Sequence, residues 1–230
     1  MTTDGMDDLY FKQIEIGPMA NYVCLLGSHA TREAAIIDPA WDPRALLEIA
    51  EADDMRVTSV LITHTHPDHV GGDLMGHHID GVAEFLAHHP DVRVYVHKSE
   101  AEFLPVPGSE VVKTDEHTEL TLGQVRVQFV HTPGHTPGSQ CFKLADRLVS
   151  GDTLFIGACG RTDLPGSNPE DLYLSLTQKL AKLEEDTLVF PGHNYAPPRQ
   201  YTSIRDEKAH NPFLRFPSKS AFLAAMGYRV

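Results

Sequence analysis

The sequence predicts an α/β fold, α+β in the way its elements segregate, made of two similar sheet-and-helix halves packed face to face. Three observations predict it. Strand-type apolar runs and amphipathic helical stretches follow in the same order, strands, helix, strand, in both halves. The strands end in polar loops, which places any chemistry at a shared edge. No low-complexity segment or flexible linker divides the 230 residues, a length that one large core can serve. The expected organisation is one domain over residues 1–197 with a short helical tail, 198–230, packed on it.

In the first half, Phe11 to Ile16 alternates as a strand, and Tyr22 to Leu26 and Ala34 to Ile37 are compact apolar runs, the last closed by Asp38-Pro39. Asp42-Pro43 reads as a helix cap followed by proline at the first helical position, with Leu46, Leu47 and Ile49 on the apolar face. Val57 to Ile62 is a strand that stops at Thr63. A helix is expected from about Leu74 to His89, then a strand at Val92 to Val96. In the second half, Val125 to Val130 is a strand ending at a His/Pro/Gly-rich loop, and Gln140 to Leu144 pairs with Arg147 to Ser150 as a hairpin. Asn168-Pro169 repeats the cap-then-proline signal before Leu172, Leu174, Leu176 and Leu180. Thr187 to Phe190 is a strand ending at Pro191-Gly192-His193.

Composition excludes several function classes. Lys plus Arg is 19 against 32 for Asp plus Glu, a formal charge of −13, a field that repels phosphate backbones and anionic lipid. No apolar run approaches the ~18 residues of a bilayer helix. Met1 to Leu9 carries three Asp and no basic residue, unlike a secretory signal. Cys24, Cys141 and Cys159 are too few and scattered for a disulfide framework. A cytoplasmic protein without nucleic-acid or membrane partners is expected.

The 14 histidines carry the chemistry. His64-Thr65-His66-Pro67-Asp68-His69 sets three imidazoles and a carboxylate in six residues directly after a strand. Imidazole nitrogen and carboxylate oxygen are the usual ligands of zinc and related ions. A solvated polar loop explains most histidine pairs, but three further candidate ligands also stand at strand ends: His135, Asp152 and His193, each with a glycine neighbour.

With these motifs the sequence resembles the metallo-β-lactamase superfamily, and within it the glyoxalase II-like group, from about Tyr22 onward. The resemblance implies a four-layer αββα sandwich with the metal site at the edge between the sheets. It implies that His64, His66 and His135 hold one divalent ion, that Asp68, His69 and His193 hold a second, and that Asp152 bridges them. Two ions are therefore expected per chain, zinc first, with iron or manganese also fitting such ligands. Asp68 and Asp152 are the catalytic candidates, although a ligated Asp68 is a poor free base. Asp38 resembles the family's aspartate that orients the metal loop; a turn residue at a helix entry is an equal reading.

Within the superfamily, a cysteine commonly replaces Asp152 in zinc β-lactamases, and flavodiiron proteins carry Glu at the His66 position. RNA-processing relatives need a surface friendlier to phosphate than this one. Two branches remain. The preferred one is a thioester hydrolase of hydroxyacylglutathione type using a metal-bridging hydroxide: Gly192-His193-Asn194-Tyr195 is similar to its Gly-His-Glu-Tyr signature, and Gly17 to Tyr22 and Asn211 to Leu214 look like its small bacterial members. The alternative is a persulfide (sulfur) dioxygenase with one iron on His64, His135 and Asp152, because Gly160-Arg161-Thr162-Asp163 and Pro133 to Gly138 resemble that group. Arg161 also stands where the glyoxalase II pattern has a different glutathione contact, and the basic C-terminal domain of that family is reduced to a tail with Arg199, Arg205, Lys208 and Arg215. A scaffold without turnover is disfavoured because no ligand position is lost. Arg161, Tyr195 and Tyr173 are the substrate-contact candidates. The expected partners are a small thioester or thiol-derived substrate and a second copy of the chain in a homodimer.

Overall fold

A computed structural model describes residues 7–104, 106 and 110–229. The reading of the acidic N-terminus falls mostly on residues outside this set. One six-stranded sheet has the order β1 (Leu9–Ile16), β2 (Asn21–Ser28), β3 (Glu33–Ile37), β4 (Arg56–Leu61), β7 (Arg93–His97), β8 (Val111–Thr114). The second runs β16 (Thr202–Ser203), β15 (Leu188–Pro191), β12 (Arg147–Gly151), β11 (Gln140–Leu144), β10 (Val125–His131), β9 (Glu119–Leu122). Two hairpins stand apart, β5 (Gly72–Leu74) with β6 (His77–Ile79), and β13 (Leu154–Phe155) with β14 (Ala158–Cys159).

Period-2 alternation divides each central strand between two cores. On β2, Val23 and Leu25 face helices α1 (Pro43–Ala52) and α3 (Val82–His88), whereas Cys24 and Leu26 face the other sheet. On β12 and β15, Val149 and Phe190 join that inter-sheet core, and Leu148 and Val189 face outward. The outward side is covered by α4 (Pro169–Leu174), α5 (Ile204–His210) and α6 (Lys219–Ala225), through Leu172, Ile204 and Phe222. Strands buried on both faces require continuous apolar sequence, which Val23 to Leu26 and Ala34 to Ile37 supply. Helix, sheet, sheet, helix is therefore the layer order, the expected αββα sandwich.

The expected elements match at β1 to β4, α1, β7, β10 to β12, α4 and β15. Asp42 caps α1, accepting the Ala45 amide at 3.0 Å, and Asn168 caps α4. The helix expected from Leu74 is a correction. Met75 and Gly76 both have positive φ (51° and 82°), the turn geometry that closes a two-residue hairpin, so residues 72–79 pair as β5–β6. The helix starts only at Val82, where the Glu84 carboxylate accepts the Gly81 amide at 2.7 Å. His77 and His78 thus sit on a hairpin.

Candidate metal centre

Each candidate ligand lies just past the end of a strand: His64 to His69 after β4, His135 after β10, Asp152 after β12, His193 after β15. Backbone bonds stitch the two sheets together at this edge. Gln140 N donates to Thr63 O (2.9 Å), and Tyr22 N donates to Gly192 O (2.7 Å). The chain is extended through His66, so His64 and His66 project to the same side. Pro67 then starts the single helical turn α2 (Pro67–Val70), which swings Asp68 and His69 toward a different point. Gly151, with φ +48°, turns the chain so that Asp152 points between the loops; a Cβ there would lie 2.7 Å from the Thr63 side chain.

Two donor groups result. His64 Nε2 and His135 Nε2 each lie 3.0 Å from His66 Nδ1. His69 Nε2 and His193 Nε2 are 3.2 Å apart, and Asp68 Oδ2 is 3.4 and 3.3 Å from them. Asp152 stands between the groups, its Oδ2 3.7 Å from His135 Nε2 and 3.3 Å from His193 Nε2. The ligand atoms of each histidine-bearing group lie within 4.8 Å of one another, close enough for a single ion.

Outer hydrogen bonds fix which ring nitrogen carries the proton. A carbonyl or carboxylate can only accept. His135 Nδ1 therefore donates to Arg161 O (2.9 Å), His193 Nδ1 to Met19 O (3.1 Å), and His69 Nδ1 to Asp38 Oδ2 (2.9 Å). The Thr63 hydroxyl gives its proton to Asp38 Oδ2 (2.5 Å), which leaves it to accept from His64 Nδ1 (3.0 Å). In the neutral rings, the Nε2 atoms of His64, His69, His135 and His193 all turn lone pairs inward, onto carboxylates and one another. Asp152 Oδ1 is buried with no hydrogen-bond partner. Inward lone pairs beside two carboxylates repel one another unless a cation lies among them, and the N/O donor set suits a divalent metal.

The charge pattern without metal agrees. Burial and the neighbouring imidazoles hold His64 well below the usual histidine range and His66 at about 4. Burial would also lower His69, but Asp68, Asp152 and Asp38 outweigh it and set about 9; at His193, Asp152 and Asp68 overcome burial and set about 10. Burial works against ionised Asp68 and Asp152, yet His69 and His193 hold both carboxyls below their ordinary value.

Asp38, 3% exposed, also accepts the Thr63 amide at 2.8 Å, so it orients both the loop and His69. Tyr195 stacks parallel on His193 at 4.8 Å, and the residue is 58% exposed at the mouth. The exposed Arg161 side chain is held by both oxygens of Asp163 (2.9 and 2.8 Å), while its carbonyl orients His135. Tyr173 packs elsewhere: its ring lies 5.4 Å from Phe222 among the outer helices. Arg205 and Lys208 pair with Glu185. Sequence reasoning missed Asn21. Trp41 Nε1 donates to its Oδ1 (2.9 Å), so its amide nitrogen faces Asp68 and donates to Oδ2 (3.1 Å) and the carbonyl (3.0 Å). Asn21 lies on the Gly17 to Tyr22 segment, noticed only for its resemblance.

Comparison with known proteins agrees with this geometry. Residues 17–193 match the metallo-beta-lactamase superfamily model. The chain is 33% identical over 215 residues to the hydroxyacylglutathione hydrolase GloC of Haemophilus influenzae, covering 89% of this chain and 99% of that one. It superposes on ETHE1 from Myxococcus xanthus with a TM-score of 0.80 and 32% identity, over 95% and 90% of the two chains. TTHA1623 in a di-iron-bound form gives a TM-score of 0.70 and 30% identity, over 88% and 100%. The chain belongs to the metallo-β-lactamase superfamily, in its glyoxalase II-like group.

Proposed function

We propose that the protein is a metal-dependent hydrolase of a hydroxyacylglutathione-type thioester, loaded with two divalent ions, zinc first. The observation that carries this reading is the second donor group. Asp68, His69 and His193 aim acceptor atoms at one point as completely as the three histidines of the first group do. One iron on His64, His135 and Asp152 would leave these three ligands idle. Held by these residues, divalent ions would supply Lewis acidity and would acidify a bound water. The chain's own residues do the rest. Asp152 spans the two groups and keeps them in register. Asn21 donates one hydrogen bond to the Asp68 carboxylate and one to its backbone carbonyl, which fixes the side chain for ligation rather than proton abstraction. The Tyr195 ring over His193 forms one wall against which a thioester can lie, and the buried Phe155 ring, 5.1 Å away, backs it. The likeness to GloC supports the substrate class. The three free cysteines, two of them buried, fit the cytoplasmic location we assign with it.

The second reading, a persulfide dioxygenase with one iron on His64, His135 and Asp152, draws on the Arg161–Asp163 pair in Gly160 to Asp163 and on the likeness to ETHE1. Metal analysis with two assays decides between them. Near two ions per chain and thiol release from a hydroxyacylglutathione support the hydrolase. One iron, with persulfide-dependent oxygen uptake and no thiol release, overturns it.

A further inference from the structure

Glu100 lies on the turn that follows β7, 35 residues from the histidine loop, and is only 2% exposed. No salt bridge involving it is seen among the described residues. Its two oxygens instead take three neutral donors. Oε2 accepts the Thr65 amide (2.9 Å) and the Thr65 hydroxyl (3.1 Å), and Oε1 accepts the Gly138 amide (3.0 Å). Thr65 sits between His64 and His66, and Gly138 closes the loop that begins at His135. The contact is tight: a Cβ on Gly138 would lie 2.7 Å from Glu100 Cγ.

Burying a carboxyl group is costly, and three bonds to two loops recover that cost only while both loops keep their present positions. None of the three bonds reaches the second donor group, which is braced by Asp38 at His69 and by Asn21 at Asp68.

We infer that Glu100 is a positioning residue for the first metal group, clamping the His64–His66 segment to the His135 loop so that their three nitrogens converge on one ion. The inference rests on the two-ion reading above. Because both Glu100 oxygens only accept, Glu100→Gln presents an NH2 to one of the donors and opens the clamp on one side, while Glu100→Asp keeps the charge and shortens the reach.

The test is titration of metal-stripped protein with Zn2+ against a chromophoric chelator, which resolves two binding steps, with His66→Ala and His193→Ala marking which step belongs to which group. Glu100→Gln is expected to weaken the step that His66→Ala abolishes, by about 10–100-fold, and to leave the other within about twofold, with Glu100→Asp intermediate. Affinities unchanged from wild type in both steps, or equal losses in both, overturn the inference. If Glu100→Gln does not fold, Thr65→Ala, which removes one of the three donors, must weaken the same step alone, and an unchanged step is decisive against the clamp. A wild-type protein that binds a single ion overturns the two-ion reading itself, a result seen before any variant is made.

Discussion

Asp38 Oδ2 lies 2.9 Å from His69 Nδ1 and 2.5 Å from the Thr63 hydroxyl, which in turn receives His64 Nδ1. One carboxylate therefore sets the tautomer of a ligand in each metal group. Its backbone is left-handed, φ +54°, a strain of about 1–3 kcal/mol that the surrounding bonds must hold. Asp38→Asn can satisfy only some of these donors, so both zinc-binding steps should weaken, each by about 10–100-fold. Chelator competition measures this, and the loss of both steps separates Asp38 from Glu100, which supports one. Unchanged affinity would show that the rings hold their orientation without it.

Metal binding should expel protons. Without metal, His69 and His193 have pKa values of about 9 and 10, above the unfolded value near 6.5. Their protonated forms thus stabilise the metal-free fold fully below pH 6.5, and that contribution is lost as pH rises through 9 and 10. Zinc needs both rings neutral, so at pH 7.5 loading should release about two protons, and affinity should climb with pH until those values are passed. Calorimetry in two buffers of different ionisation enthalpy counts the protons. Release near zero would mean the two imidazoles are already neutral.

The sequence made the ligands legible because their signal is local: a run of alternate histidines after a strand, then a glycine beside each later ligand. The braces were not legible. Asn21 meets Asp68 across 47 positions and Glu100 meets Thr65 across 35, and no local pattern marks such a meeting. The layers were readable from continuous apolar runs, whereas the short edge strands β8 and β9, with partly exposed faces, gave no such run. Residues 74–89 misled because Gly76 alone marks the turn: the other left-handed residue, Met75, is not a glycine and carries no turn signal of its own. Tyr173 shows the reverse limit, a residue type suited to substrate contact that the helix turns onto Phe222.

Gly192 leaves room for Asp152. A Cβ there would lie 2.4 Å from Asp152 Oδ1 and 3.2 Å from His69 Cε1. Gly192→Ala must therefore push the carboxylate out of its place between the groups. Overpacking of this kind costs about 1–3 kcal/mol, or about 2–4 °C of Tm per kcal/mol for a chain of this size. The zinc-loaded protein should lose more than the chelated one, because the displaced group is the one shared by both ions. Scanning calorimetry with and without zinc gives the comparison. Equal losses would place the strain in the fold alone.

Tyr195 tests the substrate wall. Its ring lies parallel to His193, tilted 5°, with most of its surface open to solvent. Burial of the hydroxyl and the nearby Asp152 and Asp68 push its pKa up to about 12, so it stays a neutral donor over any working pH and adds no limb to the pH profile. A wall that packs against bound substrate contributes equally before and during the reaction, so its loss should appear in KM with little change in kcat. For one aromatic contact of about 0.5–1.5 kcal/mol, Tyr195→Ala should raise KM by about 2–13-fold. Tyr195→Phe, which keeps the stack, should raise it less. Steady-state kinetics on a hydroxyacylglutathione separates the two parameters. A fall in kcat at constant KM would mean that Tyr195 acts on the transition state, and the wall would have to be sought on another side of the metal centre.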